Sequence, residues 1–391
     1  MPQPRKPPVP VQDLQGFQYL RRFAGLWQPL RACAVDRAGN RSFFYDQYLG
    51  LLLLYFFTPA LTSLRGLQQA ATLAKVQRQL GLPKAPALGT LSAAARDFDP
   101  ELLKPILAQL AERAVPVVDG REAEALAGLV AVDGSIWRAL PKMAWALWMG
   151  PGHRGCKLHL HFNVLRGVPQ KAHLTPAACS EVGELGKALE PGWLYVIDRG
   201  YACFGLFGDI LRAKSSFLGR VKENTAFTLK QERPVSAAAR AAGVVRDVVA
   251  GRLGTGHHKD ELGRPVRLVW VRTGKVGAGG APEVLLLCTD RLDLDAELVA
   301  LGYRYRWWVE LFFRWLKCIL GCRHLLSTDE GGVQIQVYAA LVASLLVSLS
   351  TGRKPSKRTF EMLCLYLAGW ASAEEVRQHL QKLSEQDEDS S

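Results

Sequence analysis

Between Tyr303 and Lys317 the chain reads YRYRWWVELFFRWLK, a pattern that few surroundings can accommodate. At about 100° per residue, Tyr303, Arg306, Glu310, Arg314 and Lys317 fall within a sector of roughly 80°. Trp307, Trp308, Val309, Leu311, Phe312, Phe313, Trp315 and Leu316 fill nearly every other direction. An ordinary surface helix shows a broad polar face. This one has to be packed on most sides, with a narrow stripe of one carboxylate, three cations and a tyrosine. Such packing needs a large protein around it. The 391 residues, 49% of them hydrophobic and 22% charged, supply one: enough chain for two or three domains, and too apolar to stay disordered. Taken alone, the stripe also reads as an i,i+4 ion-pair ladder joining Glu310 to Arg306 and Arg314.

Two further acids give the stripe a second reading. Leu129-Val-Ala-Val-Asp133 and Trp193-Leu-Tyr-Val-Ile-Asp198 are apolar, strand-like runs that end in an acid, followed by Gly134 and, after Arg199, Gly200. Acids at neighbouring strand ends project into one crevice, and a glutamate helix packed beside them would bring three carboxylates together. Like charges at short range resist joint ionisation. A divalent cation removes the conflict, and hard oxygen ligands select Mg²⁺ or Mn²⁺. Two such ions activate a water and stabilise the leaving oxygen of a phosphodiester, while flanking Arg and Lys hold phosphates.

Charge agrees with a polyanionic partner. The chain carries +13, and +17 once the four acids in its last seven residues are set aside. Nucleic acid is the leading candidate. The longest apolar runs, Tyr48 to Leu61 and Val337 to Leu349, are shorter than the roughly 20 residues of a spanning helix and read as buried helices. No membrane partner is expected. The proline-rich start lacks the apolar core of a signal peptide, and the eight cysteines form no paired framework, so a reducing cytoplasm is the expected setting.

Along the chain, residues 1–20 read as a disordered, basic, proline-rich arm, and 21–122 as helices with a DNA-binding role. Helices are expected over Tyr48 to Leu61, Leu64 to Leu80 (stopped by Gly81 and Pro83) and after Asp99-Pro100-Glu101. Arg65, Lys75, Arg78, Lys84 and Arg96 lie among them. Residues 123–350 read as a mixed α/β core. In it Lys157 to Val164 alternates as a half-buried strand, with Lys157, His159, His161 and Asn163 on the face away from the core. Further strands are expected near Lys171 to Leu174, Phe217 to Val221 and Val284 to Cys288, with helices near Ser180 to Leu189 and Phe204 to Ala213. Glycine-rich residues from about 223 to 282 read as a β-rich insertion. Long helices follow over Leu294 to Leu320 and Val333 to Leu349, and 351–391 hold terminal helices and an acidic tail.

Tyr303-x2-Arg306-x3-Glu310-x6-Lys317 matches without a gap the Y-R-E-K signature of IS4-type insertion-sequence transposases. Val132-Asp133-Gly134-Ser135 resembles their first aspartate motif and Ile197-Asp198-Arg199-Gly200-Tyr201 their second. The resemblance covers about residues 125 to 350. It implies an RNase H-like core in which Asp133, Asp198 and Glu310 bind two Mg²⁺ ions. Water would nick the transposon end, and the freed 3′-hydroxyl would attack target DNA. Tyr303, Arg306 and Lys317 would grip DNA near the cut, and a homodimer would hold two ends together in a bacterial cytoplasm, at the nucleoid. Some relatives place a base-stacking tryptophan in the strand before the glutamate helix; here Val284 stands there, with Trp270 nearby. A nuclease of the same fold without strand transfer, and a DNA-binding protein derived from a transposase, are the alternative functions.

Other signals carry less. His153-x2-Cys156-x2-His159-x-His161 lacks the spacing of a common zinc finger and reads as packed or solvated side chains. Cys318 and Cys322 read as small core residues, and His257-His258-Lys259-Asp260 as a loop tip. Lys157 reads as a phosphate contact or a plain surface lysine, Arg199 and Arg314 as DNA contacts, and Trp137, Trp145 and Trp148 as packing.

Overall fold

The computed structural model describes residues 7, 9–32, 42–118, 120–138, 143–150, 153–255, 262–276, 280 and 282–388. Part of the expected arm and the His257–Asp260 loop lie outside the described residues, as do the side chains of Trp148 and His153. Where the arm is described it is not extended to residue 20. The Val9 amide donates to Leu349 O (3.1 Å), and Val11–Phe17 forms a 3₁₀ turn that buries Val11 and Leu14.

Eight helices come first: α1 (Gln18–Arg22), α2 (Ala24–Arg31), α3 (Tyr45–Phe57), α4 (Leu64–Ala70), α5 (Ala74–Leu80), α6 (Leu88–Asp97), α7 (Leu103–Glu112) and α8 (Gly120–Ala125). The punctuation follows from local chemistry. α3 stops before Thr58-Pro59, and Gly81 takes the left-handed conformation that ends α5. Asp99 accepts the Glu101 amide at the turn leading into α7. The single helix expected over Leu64 to Leu80 is two, because the Thr72 hydroxyl and amide both satisfy Gln69 O and end the first turn sequence there. All five basic residues noted on these helices are exposed.

The sheet follows: β1 (Leu129–Arg138), β2 (Leu147–Gly150), β3 (His153–Asn163), β4 (Val168–Pro176), then α9 (Glu181–Lys187), β5 (Leu194–Ile197), α10 (Phe204–Arg212) and β6 (Ser216–Val221). β4, β3 and β1 pair antiparallel, while β1, β5 and β6 run parallel. The glycine-rich stretch holds β7 (Phe227–Glu232), α11 (Ala237–Ala241), β8 (Val244–Leu253) and β9 (Val266–Val276), and β10 (Pro282–Thr289) returns beside β6. Far from standing apart, β9, β8 and β7 continue the same ten-stranded sheet outward from β10. A buried bidentate pair, Arg267 on Asp247 (2.8 and 2.6 Å), ties β9 to β8.

The expected helix over Leu294 to Leu320 is α12 (Ala296–Tyr305) and α13 (Trp307–Arg314), continued by a π turn over Trp315–Ile319. α14 (Glu330–Thr351), α15 (Lys357–Leu367) and α16 (Ala373–Glu388) complete the chain. α14, at 22 residues, is long and apolar enough to cross a membrane, yet 94% of its most apolar window is buried inside the protein. Residues of α3, α6, α7, β4 and α15 share its hydrophobic cluster.

Both faces of the sheet are covered. Leu129, Ala131, Leu158, Leu160 and Phe162 join the α14 cluster, whereas Val130, Val132, Tyr195, Ile197 and Phe217 meet Leu185 of α9 and Leu206, Phe207 and Ile210 of α10. This corrects the half-buried reading of β3. Lys157, His159 and His161 are buried as well. The shared cluster has a consequence for unfolding. Leu341→Ala, at the centre of α14, should lower stability by about 2–5 kcal/mol. In urea, circular dichroism of the helices and amide hydrogen exchange of β1, β5 and β6 should shift together; a helical transition that moves alone would refute a common core.

Candidate active site

Asp133 lies at a change in pairing. The parallel register of β1 with β5 ends at Ala131↔Val196, while β1 runs on against β3 to Arg138. The acid therefore marks the end of the parallel pairing, not the end of its strand as the sequence implies. Asp198 follows β5 directly and caps the 3₁₀ turn Arg199–Tyr201. Both thus sit at the carboxyl-terminal side of paired parallel strands, where open α/β sheets form crevices. Glu310 comes from α13, which packs on β1 through the cluster that holds Val309, Phe312 and Phe313.

Each acid is held by one oxygen. Asp133 Oδ1 accepts the Gly134 amide (2.8 Å). Asp198 Oδ1 accepts the Arg199 amide (2.6 Å) and the Tyr303 hydroxyl (3.3 Å). Glu310 Oε1 accepts Arg306 Nη2 (2.7 Å). The second oxygen of each accepts no hydrogen bond from the described residues, and none of the three is sealed from solvent. That is a set of three hard oxygen donors suited to Mg²⁺ or Mn²⁺. The acids do not close into a ligand shell: among the described residues no three His, Cys, Asp or Glu side chains stand ready to hold one ion.

Their fields overlap. Burial pushes the Asp133 carboxyl up to about 6, and the negative charges of Glu310 and Glu181 add to it, against the Gly134 amide and Arg306. Arg306 in turn feels Tyr303, Glu310 and Asp198. Glu181, the first residue of α9, is a fourth acid of this neighbourhood that no motif announces; its only sequence signal is its place after Ser180, which caps α9.

The cations divide into two groups. Arg306 is buried between Tyr303 and Glu310, so the ladder forms on one side only; Arg314 is exposed and makes no ion pair among the described residues. Arg199 is exposed beside Asp198. Lys317 instead braces β1: its Nζ donates to Ser135 Oγ and Ile136 O (both 2.7 Å) and lies 4.0 Å from the centre of the Trp137 ring. Burial lowers its pKa. Lys157, read as a surface group, is 9% exposed and pairs with Glu181 at 3.1 Å. The other histidines of that face are packing groups. His159 stacks on His173 (4.7 Å) and bonds Thr175, and His161 meets Trp193 and Tyr195 edge-on. Burial depresses them to about 4 and about 3. Trp137 and Trp145 are tied by their indoles to Cys322 O and Thr328 O. Trp270 lies opposite Leu286 of β10, two residues along from Val284, with the Arg246 guanidinium on its ring.

Residues 124–346, more than half of the chain and all three acids, match the family described as Transposase DDE domain. The chain belongs to that family. Two curated relatives are similar to this chain. One, y4zB of Sinorhizobium fredii, named as a transposase, is 29% identical over 199 residues, 50% of this chain and 54% of its own. The other, from Geobacillus stearothermophilus and named for the transposase of insertion sequence element IS5377, is 25% identical over 218 residues, 53% of this chain and 52% of its own. The chain thus spans about half the length of the curated relatives it matches. A solved piggyBac transposase synaptic complex with hairpin DNA aligns over 86% of this chain and 74% of its own, at 12% identity and a TM-score of 0.41.

Asp133 sets a pH dependence. The folded protein retains its proton up to about pH 6, whereas the ordinary value is 3.8. Stability from this group is therefore full below 3.8 and lost as the pH rises through 6. His159 and His161 act oppositely, losing stability as the pH falls below 6.5 toward 4 and 3. Asp133→Asn, in EDTA, should be more stable than wild type at neutral pH by on the order of 1–3 kcal/mol, with a smaller gap at acid pH. Urea midpoints at the two pH values check this, and a gap that does not depend on pH would refute the buried-charge account.

Proposed function

We propose that this chain is an IS4-type DNA transposase with an RNase H-like core, whose catalytic carboxylates are Asp133, Asp198 and Glu310. The observation that carries the reading is that Arg306 feels both Asp198 and Glu310 and Asp133 feels Glu310, while each acid keeps one oxygen without a hydrogen bond among the described residues. The family match and the order of the three motifs support it. Two bound Mg²⁺ ions, or Mn²⁺, would supply an activated water and charge stabilisation at the leaving oxygen. The chain's own groups orient the acids. The Tyr303 hydroxyl fixes Asp198, Arg306 fixes Glu310, and Lys317 holds β1 at Ser135, two residues past Asp133. Arg199 and Arg314, exposed beside the acids, are the side chains placed to meet phosphates of the bound end. The exposed basic residues of α4–α6 give the helical segment its role in DNA binding.

In the reaction proposed, water attacks the phosphodiester at the element boundary and leaves a 3′-hydroxyl, which then attacks target DNA and displaces a 3′-oxygen there. Two protomers would hold the two ends, in a bacterial cytoplasm.

Fragments carrying the element's own ends should be cut at the 3′ boundary with Mg²⁺ and left intact in EDTA. Asp133→Ala and Glu310→Gln should each reduce cutting at least about a hundredfold while end binding in a mobility-shift assay persists. A labelled, pre-cut end should join to plasmid DNA. Cutting without joining would establish a nuclease, and end binding without cutting by the wild type a DNA-binding protein.

A further inference from the structure

Gly134, immediately after the first aspartate, lies against the tip of the Glu181 side chain. A Cβ there would stand 2.6 Å from Glu181 Oε1 and 3.1 Å from Lys157 Cδ. The Glu181 carboxylate, from the first turn of α9, thus lies against the backbone of β1 next to Asp133, where a side chain at Gly134 would have to displace it. Past Ala131 the β5 side of β1 carries no strand pairing, so this stretch of β1 is open to groups from both faces of the sheet.

Lys157 supplies the counter-charge. Its ammonium reaches Glu181 Oε1 at 3.1 Å and Cys179 O at 3.4 Å, and it is nearly sealed from water. A buried ammonium on an acid that also feels Asp133 does what a bound cation would do for the cluster: it offsets crowded negative charge.

A second observation points to something missing from the same place. Tyr201, the last residue of the second aspartate motif, is 2% exposed, and its hydroxyl is buried without a hydrogen-bond partner. The charges that act on that hydroxyl are Glu181, Asp133, Asp198 and Arg306. A buried donor left unpaired is unfavourable, and an unmet group of this kind is one mark of a ligand that completes it. Here the acceptor would be an oxygen of the cation's shell, a water or a carboxylate that turns toward the ion.

We propose that Glu181 is a fourth oxygen donor of the cation-binding crevice, with Lys157 as the resident cation that a divalent ion displaces from it. This inference rests on the assignment of Asp133, Asp198 and Glu310 as cation-binding carboxylates. It gives the Lys157–Glu181 pair a role in ion affinity, separate from any contact of Lys157 with DNA.

The test is binding of Mn²⁺ alone to the full chain, followed by calorimetry and by the electron paramagnetic resonance signal of free Mn²⁺. The variants are Glu181→Gln, Asp133→Asn and Lys157→Met, each checked for a cooperative urea transition. Glu181→Gln should weaken Mn²⁺ binding about tenfold or more, as loss of one anionic donor does. Lys157→Met should tighten it, because the competing ammonium is gone; this arm remains readable if the glutamine variant does not fold. If Asp133→Asn loses Mn²⁺ while Glu181→Gln and Lys157→Met both bind like wild type, the fourth donor is refuted and the three-acid assignment stands. If Asp133→Asn also binds like wild type, both fail.

Discussion

An apolar helix with no polar side has to be wrapped, and α14 is that constraint here. Nearly all of its residues from Val333 to Thr351 are buried, and several layers close around it: α3, α6 and α7 from the amino-terminal half, β4 from the sheet, and the π turn after α13. Hydrophobic burial is non-directional, so the helix could be covered in many ways. Hydrogen bonds select one. Trp315 donates its indole N–H to Ser344 in the middle of α14 (3.0 Å), which anchors the π turn at the end of the glutamate helix. Lys317, in the same turn, reaches across to Ser135 and Ile136, and Trp137 answers from β1 with a bond to Cys322 O. Glu310 and Asp133 are thereby held to a common frame by groups that touch neither carboxylate.

Within that frame the acids sit in an unfavourable electrostatic arrangement, and the fold manages it unequally. Glu310 has Arg306, and Asp198 has an amide and a hydroxyl. Asp133 has one amide, and burial pushes its carboxyl up to about 6. Glu181 is offset by Lys157. A site that is destabilised when empty gains most from a ligand that supplies positive charge, since the same repulsion is relieved on binding.

The second face of β3 shows how far polar groups can be buried: His159 bonds Thr175, whereas His161 Nδ1 is buried without a hydrogen-bond partner. Lys157, His159 and His161 alternate with Leu158, Leu160 and Phe162, yet all six are buried. The histidines are accommodated as neutral rings against His173, Thr175, Trp193 and Tyr195. Removing water from an imidazole disfavours its charged form, so such a face is compatible with the core near neutral pH and becomes a liability in acid.

The sequence by itself determined most of the elements and marked the three acids as candidates. Strict alternation marked β3, apolar runs marked β1 and β5, Gly81 and Asp99 marked helix ends, and the stripe on the glutamate helix singled out Glu310. These are properties of short stretches, readable from periodicity and local hydrogen-bonding chemistry. Only the tertiary structure decided that the β-rich stretch extends the central sheet, that the alternating strand is buried on both faces, and that Lys317 braces β1 while Arg314 faces solvent. It alone brought Glu181 to Gly134. Alternation says that a strand has two faces, but what covers the second depends on residues elsewhere in the chain, here those of α9 and the strands beside it. A lone glutamate at a helix start looks like any other until the fold sets it beside another acid, because the charge that gives it meaning lies 48 residues away, on β1.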